Sequence, residues 1–290
     1  MTTVAAAATI AVTLDRAAEQ LRRAGIDRAR SEARLLMAAA LGIGRDAVFG
    51  HPERPLAPGE LARVGHVLSR RAAREPVAHI LGAREFWSLD FTVTADTLVP
   101  RPDSETLIEA ALEVLPKWDG PYRILDLGTG GGCLLLALLH ERPNATGLGI
   151  DKCAKALEVA KGNADALGLA GRAEFQIGDW ARGLDGTFDV IVANPPYIPE
   201  DEIGALAPEV AQYEPKLALS GGADGLQCYR RMALDLMDRL VPGGTLVIEV
   251  GCGQATAVAA ILARHGLTER ARCKDLGGQN RCILAKSGTN

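Results

Sequence analysis

From Pro121 onward the chain alternates short aliphatic runs with spans of helical length, and no other feature constrains the fold as tightly. Arg123–Leu127, Thr146–Ile150, Ala173–Ile177, Val190–Ala193 and Thr245–Val250 read as strands, mostly of buried aliphatic type. The intervening segments 133–140, 152–167, 229–240 and 255–265 read as helices, and further strands are expected near Leu267 and over Arg281–Ala285. Repeated units of this size build a doubly wound, mainly parallel seven-stranded α/β sheet. Scarce aromatics, 4% of the chain, suit helices packed on such a sheet better than an antiparallel sandwich.

The front of the chain has a different texture. Leu14, Ala17, Ala18 and Leu21 recur at helical spacing until Gly25; Ala33–Leu41 continues similarly, and Leu61, Val64, Val67 and Leu68 form another amphipathic face. Residues 1–82 are therefore expected to be a small helical domain. Phe86, Trp87, Leu89, Phe91 and Val93 then make an aromatic and β-branched run, which predicts a linking β-hairpin within 83–99, ahead of a larger domain over 100–290.

Composition excludes several classes of function. Six cysteines form no C-x-x-C pair, the five histidines are scattered, and no metal is expected. No run approaches the roughly 20 apolar residues of a membrane helix, and the apolar start Val4–Val12 lacks a basic segment before it, so the cytoplasm is expected. The first 85 residues hold 13 arginines against nine acids, within a chain of net charge −4. A basic front can face an acidic partner or RNA, but arginine is spread along the whole chain and the later part is net acidic.

Ile124–Gly132 is a buried strand running into a glycine turn that opens a helix. Glycine lets the backbone approach a ligand closely, and the helix start offers N–H groups to an anionic group. A dinucleotide fingerprint G-x-G-x-x-G would need glycine where Cys133 stands. Asp126 gives instead the D-x-G-x-G form typical of methyltransferases, which assigns Gly128, Thr129, Gly130, Gly131 and Gly132 to S-adenosyl-L-methionine. Asp151 ends the next strand, where a carboxylate can accept ribose hydroxyls or cap the following helix. Asp179 can bond an adenine amino group, and Trp180 can cover the ring or serve as core.

Asn194-Pro195-Pro196-Tyr197 stands directly at the carboxyl end of a hydrophobic strand, the chemical end of such a sheet. The two prolines stiffen the turn and remove two N–H donors, so it presents acceptors. The Asn194 side-chain oxygen and the Pro195 carbonyl can hold both hydrogens of a planar NH2 group while Tyr197 packs on its flat face. Transfer then gains from orientation and from polarised N–H bonds. The tetrapeptide specifies a planar nitrogen and leaves adenine, guanine and glutamine open.

Three further segments narrow the choice: Leu98–Thr106, with Pro100-Arg101-Pro102-Asp103-Ser104-Glu105; Glu214–Leu219; and Gly221–Leu226. Together with the tetrapeptide they resemble the peptide chain release factor glutamine methyltransferases, the PrmC or HemK group, over nearly the whole chain. Members commonly show P-R-P-E-T-E where this chain has Pro100–Glu105, a conservative departure. The resemblance implies a class I methyltransferase fold behind a helical substrate-recognition domain. It implies methylation of the glutamine side-chain nitrogen (N5) in the Gly-Gly-Gln motif of bacterial class I release factors, with cofactor positions on Gly128–Gly132, Asp151, Trp180 and Asn194 and substrate positions on Asn194–Tyr197. No direct nucleic acid or membrane partner is implied. The alternative is an N6-adenine or N2-guanine nucleic acid methyltransferase. Arg101 can steady the cofactor carboxylate or pair with Asp103 or Glu105. The chain's own Gly277-Gly278-Gln279 is expected to be a turn before the last strand.

Overall fold

The computed structural model describes residues 8–287; Val4–Ala7 of the apolar start and the outermost ends of both expected domains lie outside them. The chain forms two compact units: one comprises the described residues through Gly82 together with Pro208–Tyr213, the other the remainder.

The first unit is helical. Thr9 caps the helix Ile10–Arg23 by accepting the Val12 N–H at 3.4 Å, and Gly42 ends Ala29–Leu41 in the left-handed conformation at φ +67°. Pro58 opens Pro58–Ala72 where its missing N–H costs nothing. Ile10, Leu14, Leu21, Leu36, Met37, Val64 and Leu68 interlock as its core. Arg71, only 5% exposed, binds Glu32 at 2.6 Å and Glu209 at 2.8 Å, and Arg74 takes the other Glu209 oxygen at 2.7 Å. The Tyr213 hydroxyl donates to the Ala73 carbonyl at 2.7 Å. Segment 208–213 thus belongs to this unit through charge rather than apolar burial. Arg71→Ala should lower its stability by about 2 kcal/mol, below the full value of a buried pair because both carboxylates are partly wet. Faster amide exchange across 58–72 and 208–213 would register the loss.

The second unit opens with a hairpin, β1 (Ala83–Phe86) and β2 (Leu89–Thr92), whose Phe86 and Phe91 are buried in the core with ring centroids 6.2 Å apart. The hairpin therefore packs as part of this unit. The main sheet comprises β3 (Arg123–Leu127), β4 (Thr146–Asp151), β5 (Ala173–Ile177), β6 (Phe188–Ala193), β7 (Leu240–Glu249), β8 (Leu267–Lys274) and β9 (Asn280–Ser287). Its order is β5-β4-β3-β6-β7-β9-β8; β3 to β7 run parallel and β9 is antiparallel to both neighbours. Alternate residues serve opposite faces: Ile124, Val190 and Val192 join one core with helices Glu105–Val114 and Cys133–Glu141, while Leu125, Leu127, Ile191 and Ala193 join the other with Ala255–Arg264.

The segment read as one helix over 229–240 is a short helix, Gln227–Met232, followed by turns and a 3-10 turn, Met237–Arg239. Tyr229, Met232, Ala233, Leu236 and Leu240 are all buried, so the apolar spacing is genuine. Leu240 nevertheless already pairs with Phe188, and β7 begins five residues earlier than the run from Thr245 indicates, with a register shift at Phe188/Val190. Gly277–Gln279 lies in the β8–β9 turn, with Gly278 at φ +79° and the Asp275 amide bonded to the Gln279 carbonyl at 2.9 Å.

Candidate active site

The sheet order reverses between β3 and β6, and both strands deliver their following loops to the same edge, with Leu127 level with Ala193 and Ile150. Such a switch point is where open α/β sheets bind ligands. A cavity of about 370 Å³ lies there, touching Gly128–Gly131, Asp151, Trp180, Asn194 and Pro196. That volume is ordinary for a small-molecule site.

The glycine loop is held from beneath. The Gly128 and Thr129 amides donate to the Ile150 carbonyl at 2.8 and 3.0 Å, and the Gly130 amide donates to Asp151 Oδ2 at 2.8 Å. Asp151 Oδ1 also accepts the Cys153 N–H at 2.8 Å ahead of the helix Ala154–Ala166. This carboxylate thus braces the helix entry and lines the cavity. Gly130, at φ +54°, would direct a Cβ into open space, and Gly132, at φ +84°, would place one 3.3 Å from the Ala160 methyl. The backbone of 128–131 therefore forms a bare cradle facing the cavity, which Gly132 does not line. Below it Thr129 Oγ1 donates to Asp126 Oδ2 at 2.7 Å, while complete burial pushes the Asp126 carboxyl up to about 7.

Trp180 lines the cavity in a left-handed conformation, φ +57°, rare for a bulky residue and characteristic of functional sites. Asp179 does not line it; its carboxylate is taken by Lys152, at 2.8 Å, and by Arg231, two cations that do. Arg101 pairs with neither Asp103 nor Glu105: one of its nitrogens bonds both oxygens of buried Glu214 at 2.7 Å. Asp103 instead meets Arg281, and Glu105 accepts the Trp87 amide.

Within the tetrapeptide, Asn194 and Pro196 reach the cavity, whereas Pro195 is buried behind them. The Tyr197 hydroxyl points to Glu249 Oε1 at 3.3 Å, and burial pushes the phenol up to about 12, so it stays protonated. Its backbone carbonyl accepts from Gln254 Nε2 at 2.8 Å, and Ile198 lies against Ser220 in a single bridge. Segments 214–219 and 221–226 thus brace the exit of the tetrapeptide: the Ile198 amide bonds the Leu219 carbonyl at 3.1 Å, and the Gly221 amide bonds the Ile198 carbonyl at 2.9 Å.

Three residues escaped the sequence reading. Asn163 Nδ2 donates to the carbonyls of Thr92 at 3.2 Å and Gly131 at 2.9 Å, stitching the hairpin to the glycine loop. Its signal was a carboxamide on the buried side of a helix. Ser104 and Glu249 stand behind Asn194: Asn194 Nδ2 donates to Ser104 Oγ at 3.1 Å, and Ser104 Oγ donates to Glu249 Oε2 at 2.6 Å. An acid ending a run of buried strand residues was the available sign.

Burial pushes the Glu249 carboxyl up from an ordinary 4.5 to about 7, against the Ser104 hydrogen bond and the nearby Arg281 charge. The folded chain therefore holds this proton more tightly than the unfolded one. That contribution, roughly 3 kcal/mol, is full below 4.5 and is lost as pH rises through about 7. Glu249→Gln, which cannot ionise, should flatten the fall of melting temperature over this window; an unchanged slope would contradict the burial effect.

Comparison with known proteins agrees with this geometry. A family model described as the PrmC N-terminal domain matches residues 13–82, and one described as a methyltransferase domain matches 119–232. The chain is 52% identical over 273 residues to the release factor glutamine methyltransferase of Rhodospirillum rubrum, covering 94% of this chain and 83% of that one. It is 45% identical over 272 residues to the Bradyrhizobium diazoefficiens protein of that name, covering 93% and 92%. A methyltransferase structure from Pyrococcus furiosus shares the fold at TM-score 0.50 and 18% identity, covering 79% of this chain and 99% of that one. With the class I methyltransferase sheet, the glycine cradle and the acceptor loop at one edge, the chain belongs to the release factor glutamine methyltransferase family.

Proposed function

We propose that this protein transfers a methyl group from S-adenosyl-L-methionine to the side-chain nitrogen (N5) of the glutamine in the Gly-Gly-Gln motif of class I release factors, in the cytoplasm. The observation that carries the reading is the single cavity that joins the glycine loop and Asp151 to Asn194. When bound, the cofactor supplies an electrophilic methyl on a positively charged sulfur.

The protein's part is holding and orienting. Asp151 offers its remaining lone pairs to ribose hydroxyls, and Trp180 packs an adenine face. Asp179 acts one step back, fixing Lys152 and Arg231 along the cavity wall. Asn194 Oδ1 and the Pro195 carbonyl take the two amide hydrogens, setting the face of the planar nitrogen toward the methyl. Polarising both N–H bonds raises electron density on a nitrogen that is otherwise a poor nucleophile. After transfer the nitrogen is acidic and its proton passes to water, so no strong base is required. Tyr197, tied to Glu249, supports the turn from behind. We assign residues 1–82 to recognition of the release factor body, and expect neither nucleic acid nor membrane as a partner. Among the described residues no helix is long and apolar enough to cross a membrane.

Offering labelled cofactor to a release factor, DNA and ribosomal RNA in parallel tests the assignment. Label confined to one glutamine-bearing peptide is expected, whereas label in nucleic acid alone would end it.

A further inference from the structure

A hydroxyl has one hydrogen to give, and an ionised carboxylate can only accept. With Glu249 ionised, Ser104 Oγ, 2.6 Å from Glu249 Oε2, has its hydrogen committed there and only its lone pairs remain for Asn194, 3.1 Å away. The group facing those lone pairs has to be an N–H. The Asn194 carboxamide therefore turns Nδ2 inward, which leaves Oδ1 for the cavity that Asn194 lines.

The pair is itself held in place. Ser104 is 4% exposed and Glu249 1%. Glu249 Oε1 receives the Tyr197 hydroxyl, and the Glu249 backbone carbonyl accepts the Tyr229 hydroxyl at 3.0 Å. Arg281 on β9 lends its charge to the carboxylate, opposed by Asp103 beside Ser104. Ser104, Tyr197 and Arg281, from three separate parts of the chain, thus converge on one carboxylate that does not line the cavity.

We propose that Glu249, acting through Ser104, is a positioning residue for methyl transfer: it fixes the Asn194 carboxamide with its acceptor toward the nitrogen to be methylated. A flipped amide would set its oxygen against the Ser104 oxygen and show the incoming NH2 group a donor where an acceptor is needed. The Pro100–Glu105 segment thereby gains a mechanical purpose through Ser104. The proposal rests on the amide reading given above.

The test uses the full-length protein well above pH 7, where Glu249 is ionised. Ser104→Ala should lower kcat on a release factor about ten- to a hundredfold, with KM and the dissociation constant for S-adenosylhomocysteine within about threefold. Ser104→Thr, which restores the hydroxyl, should recover most of that rate. Glu249→Gln should be slower than wild type, and the double variant no slower than Ser104→Ala alone, because one residue acts through the other. Wild-type kcat in Ser104→Ala, no recovery with Thr, a loss confined to KM, or additive losses in the double variant would each overturn the proposal. A substrate-free measurement separates this from failure of the release-factor assignment. In nitrogen-15-labelled protein the inward Asn194 side-chain hydrogen should exchange at least about tenfold faster in Ser104→Ala than in wild type. Unchanged exchange would overturn the positioning role whatever the substrate.

Discussion

Asn194→Ala should reduce methyl transfer by about a hundred- to a thousandfold, the usual consequence of removing one preorganised polar contact from a transition state. S-adenosylhomocysteine should still bind within a few-fold of wild type, because the glycine cradle and Asp151 are held by backbone bonds that do not involve residue 194. Folding should change little: the lost bond to Ser104 is a single contact, and Ser104 keeps its bond to Glu249. Turnover and calorimetric binding on the same preparation separate the effects. Unchanged turnover would remove Asn194 from the chemistry, and a parallel loss of cofactor affinity would make it a cofactor ligand.

Gly225→Ala should cost about 2–3 kcal/mol of stability and lower activity more than tenfold in the protein that still folds. Two effects add there. Gly225 sits at φ +71°, where a side chain is strained, and a Cβ would lie 2.4 Å from the Tyr197 carbonyl oxygen and 2.6 Å from Gln254 Nε2. Those two atoms bond each other at 2.8 Å, so the methyl group would prise apart the tie that holds the tetrapeptide's last residue. Gly243 supplies the control: at φ +82° it carries the same backbone strain, but no atom lies within 4 Å of a Cβ built there. Gly243→Ala should cost about 1 kcal/mol and leave kcat alone. Denaturation midpoints and turnover for both variants distinguish strain from contact, and equal effects at the two positions would contradict the bracing of the tetrapeptide.

The sheet was legible because its central strands are buried on both faces, so Ile124–Leu127, interrupted only by buried Asp126, and Val190–Ala193 show as aliphatic runs ending in the loops that carry the chemistry. The hairpin was legible as strands, but its turn was not. Trp87 and Ser88 occupy positive φ, at 52° and 58°, without the glycine or asparagine that marks such turns. The turn is held instead by distant acids: Glu105 accepts the Trp87 amide at 2.9 Å and Glu141 accepts its indole at 2.8 Å. Residues 229–240 misled because their burial follows helical spacing while strand pairing claims Leu240.

At the site, the tetrapeptide and glycine loop could be read because each is continuous in sequence. Ser104 and Glu249 could not, since they meet Asn194 only through folding, from positions 90 residues before it and 55 after it. The resemblance singled out 214–219 and 221–226 without a reason, and the structure supplies one: both buttress Ile198 directly behind Tyr197. Asp179 was legible as important but not in kind, because Lys152 and Arg231 reach it from other elements.

A crystal structure of the protein with S-adenosylhomocysteine and a peptide carrying Gly-Gly-Gln is the most direct measurement. The glutamine nitrogen should lie about 3 Å from both Asn194 Oδ1 and the Pro195 carbonyl, with Asn194 Nδ2 still on Ser104. A glutamine held away from the tetrapeptide, or an Asn194 turned so that Nδ2 faces the peptide, would contradict methylation of an amide nitrogen at this loop.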